Sequence, residues 1–206
     1  MHADDHKNLA LHISLFTKTV ELVKQTNLPY IIIDEQLQHG NTFGEKFCNA
    51  IDYTFGRGFD NLITIGSDCA ALTVKNILQG SEAILRDEAI VGKDNHNGVY
   101  LMGFKRKAYN RNQFLWFNWG TSELFKNVLQ YFTATYATAP QILKVRIDIN
   151  HHKDLQKVVT AFSASILVKA LISILQPLIS YFSAVERLII SFFTCNKTYR
   201  GPPQLF

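Results

Sequence analysis

Residues 61–104, NLITIGSDCAALTVKNILQGSEAILRDEAIVGKDNHNGVYLMGF, constrain the fold more than any other stretch. Leu62–Ile65, apolar but for Thr64, reads as a buried strand. It runs into Gly66-Ser67-Asp68, so a carboxylate is delivered where that strand ends. Thr73 can cap a helix reaching about Leu85, with Ile77, Leu78 and Ile84 turned inward. A second apolar run, Ala89 to Gly92, leads into a polar loop, Lys93 to Asn97, and Gly98–Phe104 returns as a strand. Strands alternating with helices predict an α/β domain with a largely parallel sheet. In open sheets of that class, ligands bind outside the carboxyl ends of the strands. Asp68 and the 93–97 loop both fall there.

The flanking chain extends the same alternation. In residues 8–26, Leu9, Ile13, Phe16, Val20 and Val23 recur at steps of three and four, which predicts an amphipathic helix ending near Asn27, before Leu28-Pro29. Tyr30–Asp34 reads as a buried strand. Thr42 and Glu45 have the spacing of a capping box, and the helix they open carries Phe43, Phe47, Ala50, Ile51 and Phe55 on one side, stopping at Gly56 and Gly58. Beyond Phe104, Lys105–Asn112 reads as a turn and Phe114–Trp119 as an extended aromatic run. Thr121 is the expected cap of a helix through Phe132, and Ile142–Ile149 alternates as a strand, with Asn150 as the next helix cap.

Bulk properties exclude several classes. A length of 206 residues with 47% apolar content suits one α/β domain and some chain to spare. The net charge of +4 is mild, and the small basic cluster Lys105-Arg106-Lys107 with Arg111 reads as a solvated turn, so nucleic acid is not indicated. Cys48, Cys69 and Cys195 are widely spaced and form no C-x-x-C pair, which argues against a disulfide framework or zinc site and suits a reducing cytoplasm. The polar start MHADDHKNLA shows no secretory signal pattern. From Leu155 to Thr194 the chain is apolar, but its longest uncharged run, Ala170–Val185, falls short of the roughly 20 residues that span a bilayer. Pro177 divides this region, so a helical pair packed on the domain or across a homodimer is expected, with attachment to a membrane surface the lesser reading. The domain division is therefore 1–156, an α/β domain, and 157–206, an apolar helical extension.

GSDCAALT followed by GKDNHNGVYLMGF resembles the DUF2064 family, glycosyltransferase-A-like relatives of the nucleotide-diphospho-sugar transferases, whose pattern is roughly G-x-D-x-P-x-L-T and then G-P-x-x-D-G-G-x-Y-L-I-G. HGNTFGEKFCNAIDYTFGRGFDN before it, and FLWFNWGTSELF and RIDINHHKDL after it, extend the resemblance over residues 35–156. The resemblance implies a Rossmann-like three-layer sandwich with a mainly parallel sheet. It also implies transfer from a nucleotide-diphospho-sugar donor to an acceptor, assisted by magnesium or manganese. On it, Asp68 and Asp148 hold the metal and are the catalytic carboxylates, Gly66, Ser67, His96, Asn97, Gly98 and Asn150 lie along the substrate, and Trp119 faces the acceptor.

Three departures leave a second reading open. His96-Asn97-Gly98 stands where the family has Asp-Gly-Gly, so an acidic group becomes imidazole; Asp94, two residues earlier, could compensate through a loop shift. Asn150 replaces a second Asp. Leu15-Phe16-Thr17-Lys18-Thr19 echoes only the first letters of the family's opening F-A-K-x-P-x-x-G-x-x-K-T-R-L loop, which would meet the donor phosphates. The alternatives are a catalytically degenerate member that binds a nucleotide or a protein partner, and a nucleotidyltransferase.

Overall fold

The computed structural model describes residues 3–146, with side chains from Ile13 onward. Asp148, Asn150 and the apolar 157–206 extension, with its expected helical pair and dimer surface, lie outside the described residues. The elements run α1 (Ala3–Gln25), α2 (Phe43–Gly56), β1 (Asn61–Ile65), α3 (Val74–Leu85), β2 (Ile90–Asp94), β3 (Val99–Lys105), α4 (Arg111–Leu115), α5 (Leu124–Tyr136) and β4 (Gln141–Arg146), with a 3-10 turn at Arg106–Ala108.

Local chemistry sets these boundaries. The Thr42 side chain accepts from the Glu45 amide and Glu45 reaches back to the Thr42 amide, a reciprocal box that starts α2. Thr73 and Asn76 do the same for α3. Asn27, just past α1, takes a left-handed φ of 56°, which Asn tolerates better than most residues.

The sheet has the order β1-β3-β2-β4. β3 pairs antiparallel with both β1 and β2, and β2 pairs parallel with β4. The sheet is thus mixed rather than mainly parallel. The cause lies in residues 95–98: a connection this short can join only antiparallel neighbours, so β2 and β3 form a hairpin in the middle of the sheet. The ladder also slips. Gly92 faces Leu101 while Lys93 faces Val99, leaving Tyr100 as a bulged residue. Tyr100 therefore joins Leu101 in the same apolar cluster instead of pointing away from it.

Two apolar clusters divide the buried side chains. One joins Leu62, Val91, Met102 and Phe104 of the sheet to Phe47 and Ile51 of α2, Phe114 of α4 and Val128 and Phe132 of α5. The other joins Ile63, Ile65, Ile90, Leu101 and Leu143 to Val23 of α1 and Ile77, Ala83 and Ile84 of α3. Leu78, expected inward, is exposed on α3.

Three sequence expectations fail here for physical reasons. Tyr30–Asp34 enters no ladder; Ile33 is fully buried and Ile31 packs on the first cluster while Tyr30 and Ile32 pack on the second, so side-chain burial on both sides satisfies the apolar run without strand pairing. Phe114–Trp119 is not extended: Asn110 accepts from the Gln113 amide and starts the single turn of α4, and the chain then folds back through Phe117 N–Phe114 O and Trp119 N–Phe117 O bonds. Thr121 does not cap α5. Its hydroxyl donates to the Asn118 carbonyl and accepts from the Glu123 amide, so α5 starts at Leu124.

Candidate functional site

A cavity of about 170 Å³ opens at the carboxyl ends of β1 and β2. Thr64, Ile65, Gly66 and Asp68 line it from β1 and the turn after it. Asp94, Val99, Tyr100 and Met102 line it from the hairpin. Phe43, Phe47, Trp119, Gly120 and Leu124 close the other side.

The β1 turn is held by backbone and glycine. The Gly66 amide donates to the Tyr100 carbonyl at 3.0 Å, carrying the ladder one residue past β1. A Cβ on Gly66 would stand 2.8 Å from Asp68 Oδ1, so the missing side chain is what lets that carboxylate lie over the turn. Ser67 and Cys69 are buried, and Ser67 is not among the cavity-lining residues. From α1, Lys18 Nζ donates to the Ala70 carbonyl at 2.6 Å and ties that helix to the same turn. Burial holds the Lys18 ammonium below its ordinary pKa, with the neighbouring Cys69 opposing that shift.

The hairpin turn is organised by Asp94, which is 2% exposed. Its Oδ1 accepts from the His96 and Gly98 amides, both at 2.7 Å, and its own amide donates to the Gly98 carbonyl at 3.1 Å. Hydrogen bonds to a carboxylate are roughly twice as strong as neutral ones. A Cβ on Gly98 would fall 2.2 Å from Asp94 Oδ2, so any other residue there would displace that carboxylate. Asn97 adopts φ 64°, a left-handed angle that glycine takes without strain, and its carbonyl accepts from the Phe125 amide at 3.1 Å, pinning the turn to α5. Gly92 is equally constrained: the Tyr100 ring lies where its Cβ would be, with Cζ at 2.5 Å. The Tyr100 hydroxyl donates to the Lys144 carbonyl at 3.0 Å, linking the hairpin to β4.

The aromatic side is held by packing. Trp119 is half-buried, its ring centroid 5.2 Å from Phe43 and 4.7 Å from Phe47, and its Nε1 donates to the Phe114 carbonyl at 2.8 Å. Gly44 of α2 permits that arrangement, because a Cβ there would meet Trp119 Cδ1 at 2.8 Å.

Of the residues singled out in the sequence, Gly66, Asp68 and Trp119 thus gather around one cavity. His96 and Asn97 are exposed on the turn behind it and, with Gly98, are absent from its lining. The carboxylate that does reach the cavity from the hairpin is Asp94. The signal for it was present, because a β2 running two residues beyond Gly92 ends on Asp94, and no loop shift is then required. The basic cluster is engaged locally: Lys105 and Lys107 pair with Asp87, Arg111 with Asp52, and Arg106 donates to the Phe55 carbonyl.

Asp68 and Asp94 are the carboxylates that line the cavity. Among the described residues no three His, Cys, Asp or Glu side chains gather as a metal cage. Nor is any described helix long and apolar enough to cross a membrane.

The α/β fold has a counterpart among solved structures. A crystal structure from Desulfovibrio desulfuricans G20, of a protein provisionally named a nucleotide-diphospho-sugar transferase, is similar to the chain with a TM-score of 0.57 at 20% identity. The similarity covers 68% of this chain and 62% of that one, so this chain spans less than two thirds of its neighbour, and at that identity the likeness is one of fold. No curated protein matches the sequence. The family described as "Uncharacterized protein conserved in bacteria (DUF2064)" matches residues 15–121, just over half of the sequence, and the chain belongs to that family.

Proposed function

We propose that the chain is a metal-dependent glycosyltransferase that uses a nucleotide-diphospho-sugar donor. The observation that carries this reading is the meeting of two carboxylates, Asp68 and Asp94, in one cavity at the strand ends. The fold, α/β with a sheet between two apolar clusters, is of the glycosyltransferase-A type on this reading. Breaking the bond between sugar and diphosphate develops negative charge on the leaving phosphate. Magnesium or manganese on Asp68 and Asp94 would neutralise that charge and leave positions for phosphate oxygens. Asp148 and Asn150, four residues or fewer beyond Arg146, are the further oxygen donors that the reading assigns to this metal.

The chain's own residues supply the rest. Gly66 permits close approach at the β1 turn, while the Asp94 bonds to the His96 and Gly98 amides hold the second carboxylate in place. His96 and Asn97 act through the shape of their turn. Trp119 and Phe43 form an apolar face for the acceptor side. A volume of about 170 Å³ lies below the roughly 300–1,000 Å³ of whole small-molecule sites, so it takes one part of the donor, with the remainder outside. A cytoplasmic setting suits Cys48 and Cys69, which among the described residues are buried and form no disulfide.

One observation favours a second reading, a domain that binds a nucleotide without transferring its sugar. Residues Leu15–Thr19, which on the resemblance echo the start of a basic phosphate loop, lie in helix α1, and Lys18 is bound to a backbone carbonyl. A thermal-shift panel separates the two. UDP-, GDP-, CDP- and ADP-linked sugars are tested with and without manganese or magnesium, on the parent and on Asp68→Ala. A ligand at a hundred times its dissociation constant adds about 2.7 kcal/mol. A metal-dependent shift with one nucleotide sugar, lost in Asp68→Ala, with release of the matching nucleoside diphosphate as the sugar passes to water or to an added mixture of neutral oligosaccharide acceptors, supports transfer. A shift without release supports binding alone. A folded sample that responds to none of them overturns both.

A further inference from the structure

Trp116 is 85% exposed, more than any other large apolar side chain among the described residues. Its backbone is nonetheless anchored. Its backbone amide, at the end of α4, donates to the Gln113 and Phe114 carbonyls. The Phe114 carbonyl is the same oxygen that accepts from Trp119 Nε1. Two hydrogen bonds to one oxygen bring the Trp116 backbone within about 6 Å of the Trp119 indole, and Trp119 lines the cavity. The Asn118 amide, between them, donates to Asn127 Oδ1 at 2.9 Å. An indole is thus presented to solvent beside the cavity, on backbone that has little freedom left to lose on binding.

The surroundings define what would lie on it. No charged residue occurs from Asn112 to Ser122. Apart from Leu115 and Trp116, the exposed side chains there are Asn112, Gln113, Asn118, Thr121 and Ser122, all uncharged hydrogen-bonding groups. The bordering charges are engaged, Arg111 with Asp52 and Glu123 with Lys126. Within residues 112–122 an ionic ligand finds no charge to pair with. A protein partner would need on the order of 800 Å² per side, and the apolar residue next to Trp116, Leu115, is only 37% exposed. A neutral sugar ring fits both parts: its C–H face lies against the negative face of the indole, and its hydroxyls meet amides and hydroxyls at the rim.

We propose that Trp116 is a stacking platform for a neutral sugar ring, and that the acceptor is a neutral glycan or glycoside lying across Trp116 toward Trp119. The assignment as acceptor rests on the transferase reading; the sugar platform itself does not. The test exploits the fact that Trp116 and Trp119 are the only tryptophans in the chain. In Trp119→Phe, Trp116 is the sole emitter. This variant is titrated with maltohexaose, cellohexaose, xylohexaose and mannohexaose, with polygalacturonate and phosphatidylcholine vesicles as the charged and membrane controls, in the absence of nucleotide and metal. Calorimetry on the parent and on Trp116→Ala runs in parallel, so the result stands even if Trp119→Phe is perturbed. The expected result is saturable change in Trp116 emission with at least one neutral hexasaccharide, and at least tenfold weaker binding in Trp116→Ala. Response to none of the four, response only to the polyanion or to vesicles, or equal affinity in Trp116→Ala overturns the proposal. Because no nucleotide is present, failure here is distinct from failure of the donor panel.

Discussion

The two sides of the cavity are built on different physics. The carboxylate side, the β1 turn and the β2–β3 hairpin, is held by hydrogen bonds to named atoms and by glycines at 66, 92 and 98 whose Cβ atoms would collide with the Asp68 side chain, the Tyr100 ring and the Asp94 carboxylate. The aromatic side is held by many ring contacts. Phe114 alone lies 4.9–5.4 Å from Phe104, Tyr109, Phe117 and Tyr131, each pair worth about 0.5–1.5 kcal/mol beyond area burial. The aromatic side therefore carries mechanical stability through redundancy, while the carboxylate side carries geometry with no redundancy.

The largest expected effect tests the first half of that contrast. Phe114→Ala empties a fully buried site at the centre of the ring cluster and is expected to cost about 3–5 kcal/mol, read as a lower urea midpoint at unchanged slope. A loss under about 1 kcal/mol would move the mechanical core elsewhere. Gly98→Ala tests the second half. Its Cβ displaces a carboxylate already fixed by two amides, for a stability loss of about 1–3 kcal/mol, but the nucleotide-dependent thermal shift should vanish. If that shift survives, the placement of Asp94 is not what the hairpin supplies. Gly44→Ala is smaller still, about 1 kcal/mol, since the Trp119 indole can tilt and forfeit its bond to the Phe114 carbonyl. A red shift of tryptophan emission is the readout, and an unchanged spectrum would show that the indole does not depend on Gly44.

The same contrast explains what was legible in the sequence. Capping is local, so Thr42-Glu45 and Thr73 fixed the starts of α2 and α3 correctly, and the apolar runs placed β1, β2 and β3. The carboxylate at Asp68 was legible because a strand end is a local event. Asp94 is legible in the sequence only as a substitute that needs a loop shift, because where a strand stops and a hairpin turn begins depends on which amides the Asp carboxylate can reach. The aromatic side was the least legible. Rings in sequence at 114–119 look like a strand, and only the Asn110 cap and contacts with residues some 60 positions earlier, such as Tyr109 to Cys48, show that they fold back. Tyr30–Ile33 fails for the mirror reason: its apolar residues are buried, but no neighbouring strand completes a ladder with them.

The smallest expected effect lies in alkaline pH, and it belongs to the aromatic side. Burial raises the pKa of Tyr109, Tyr131 and Tyr136 above the ordinary 10.0. For Tyr109 the neighbouring Cys48 and Asp52 push further in the same direction. A raised folded-state value means that the unfolded chain gives up its proton first as pH increases. The stabilisation is then fully present below about pH 10 and is lost progressively above it. Burial also raises the Cys48 thiol, adding the same sign from about pH 9. Lys18, lowered by burial, acts oppositely in the window below 10.5. Comparing the parent with Tyr109→Phe cancels the Lys18 contribution. Since these hydroxyls are only about half-buried, solvent screening keeps the effect modest. The parent's melting temperature should fall more steeply between pH 10 and 11 than that of Tyr109→Phe. Parallel slopes would mean that the Tyr109 hydroxyl ionises as freely in the folded protein as in the unfolded one, and that the ring cluster excludes less water than its packing implies.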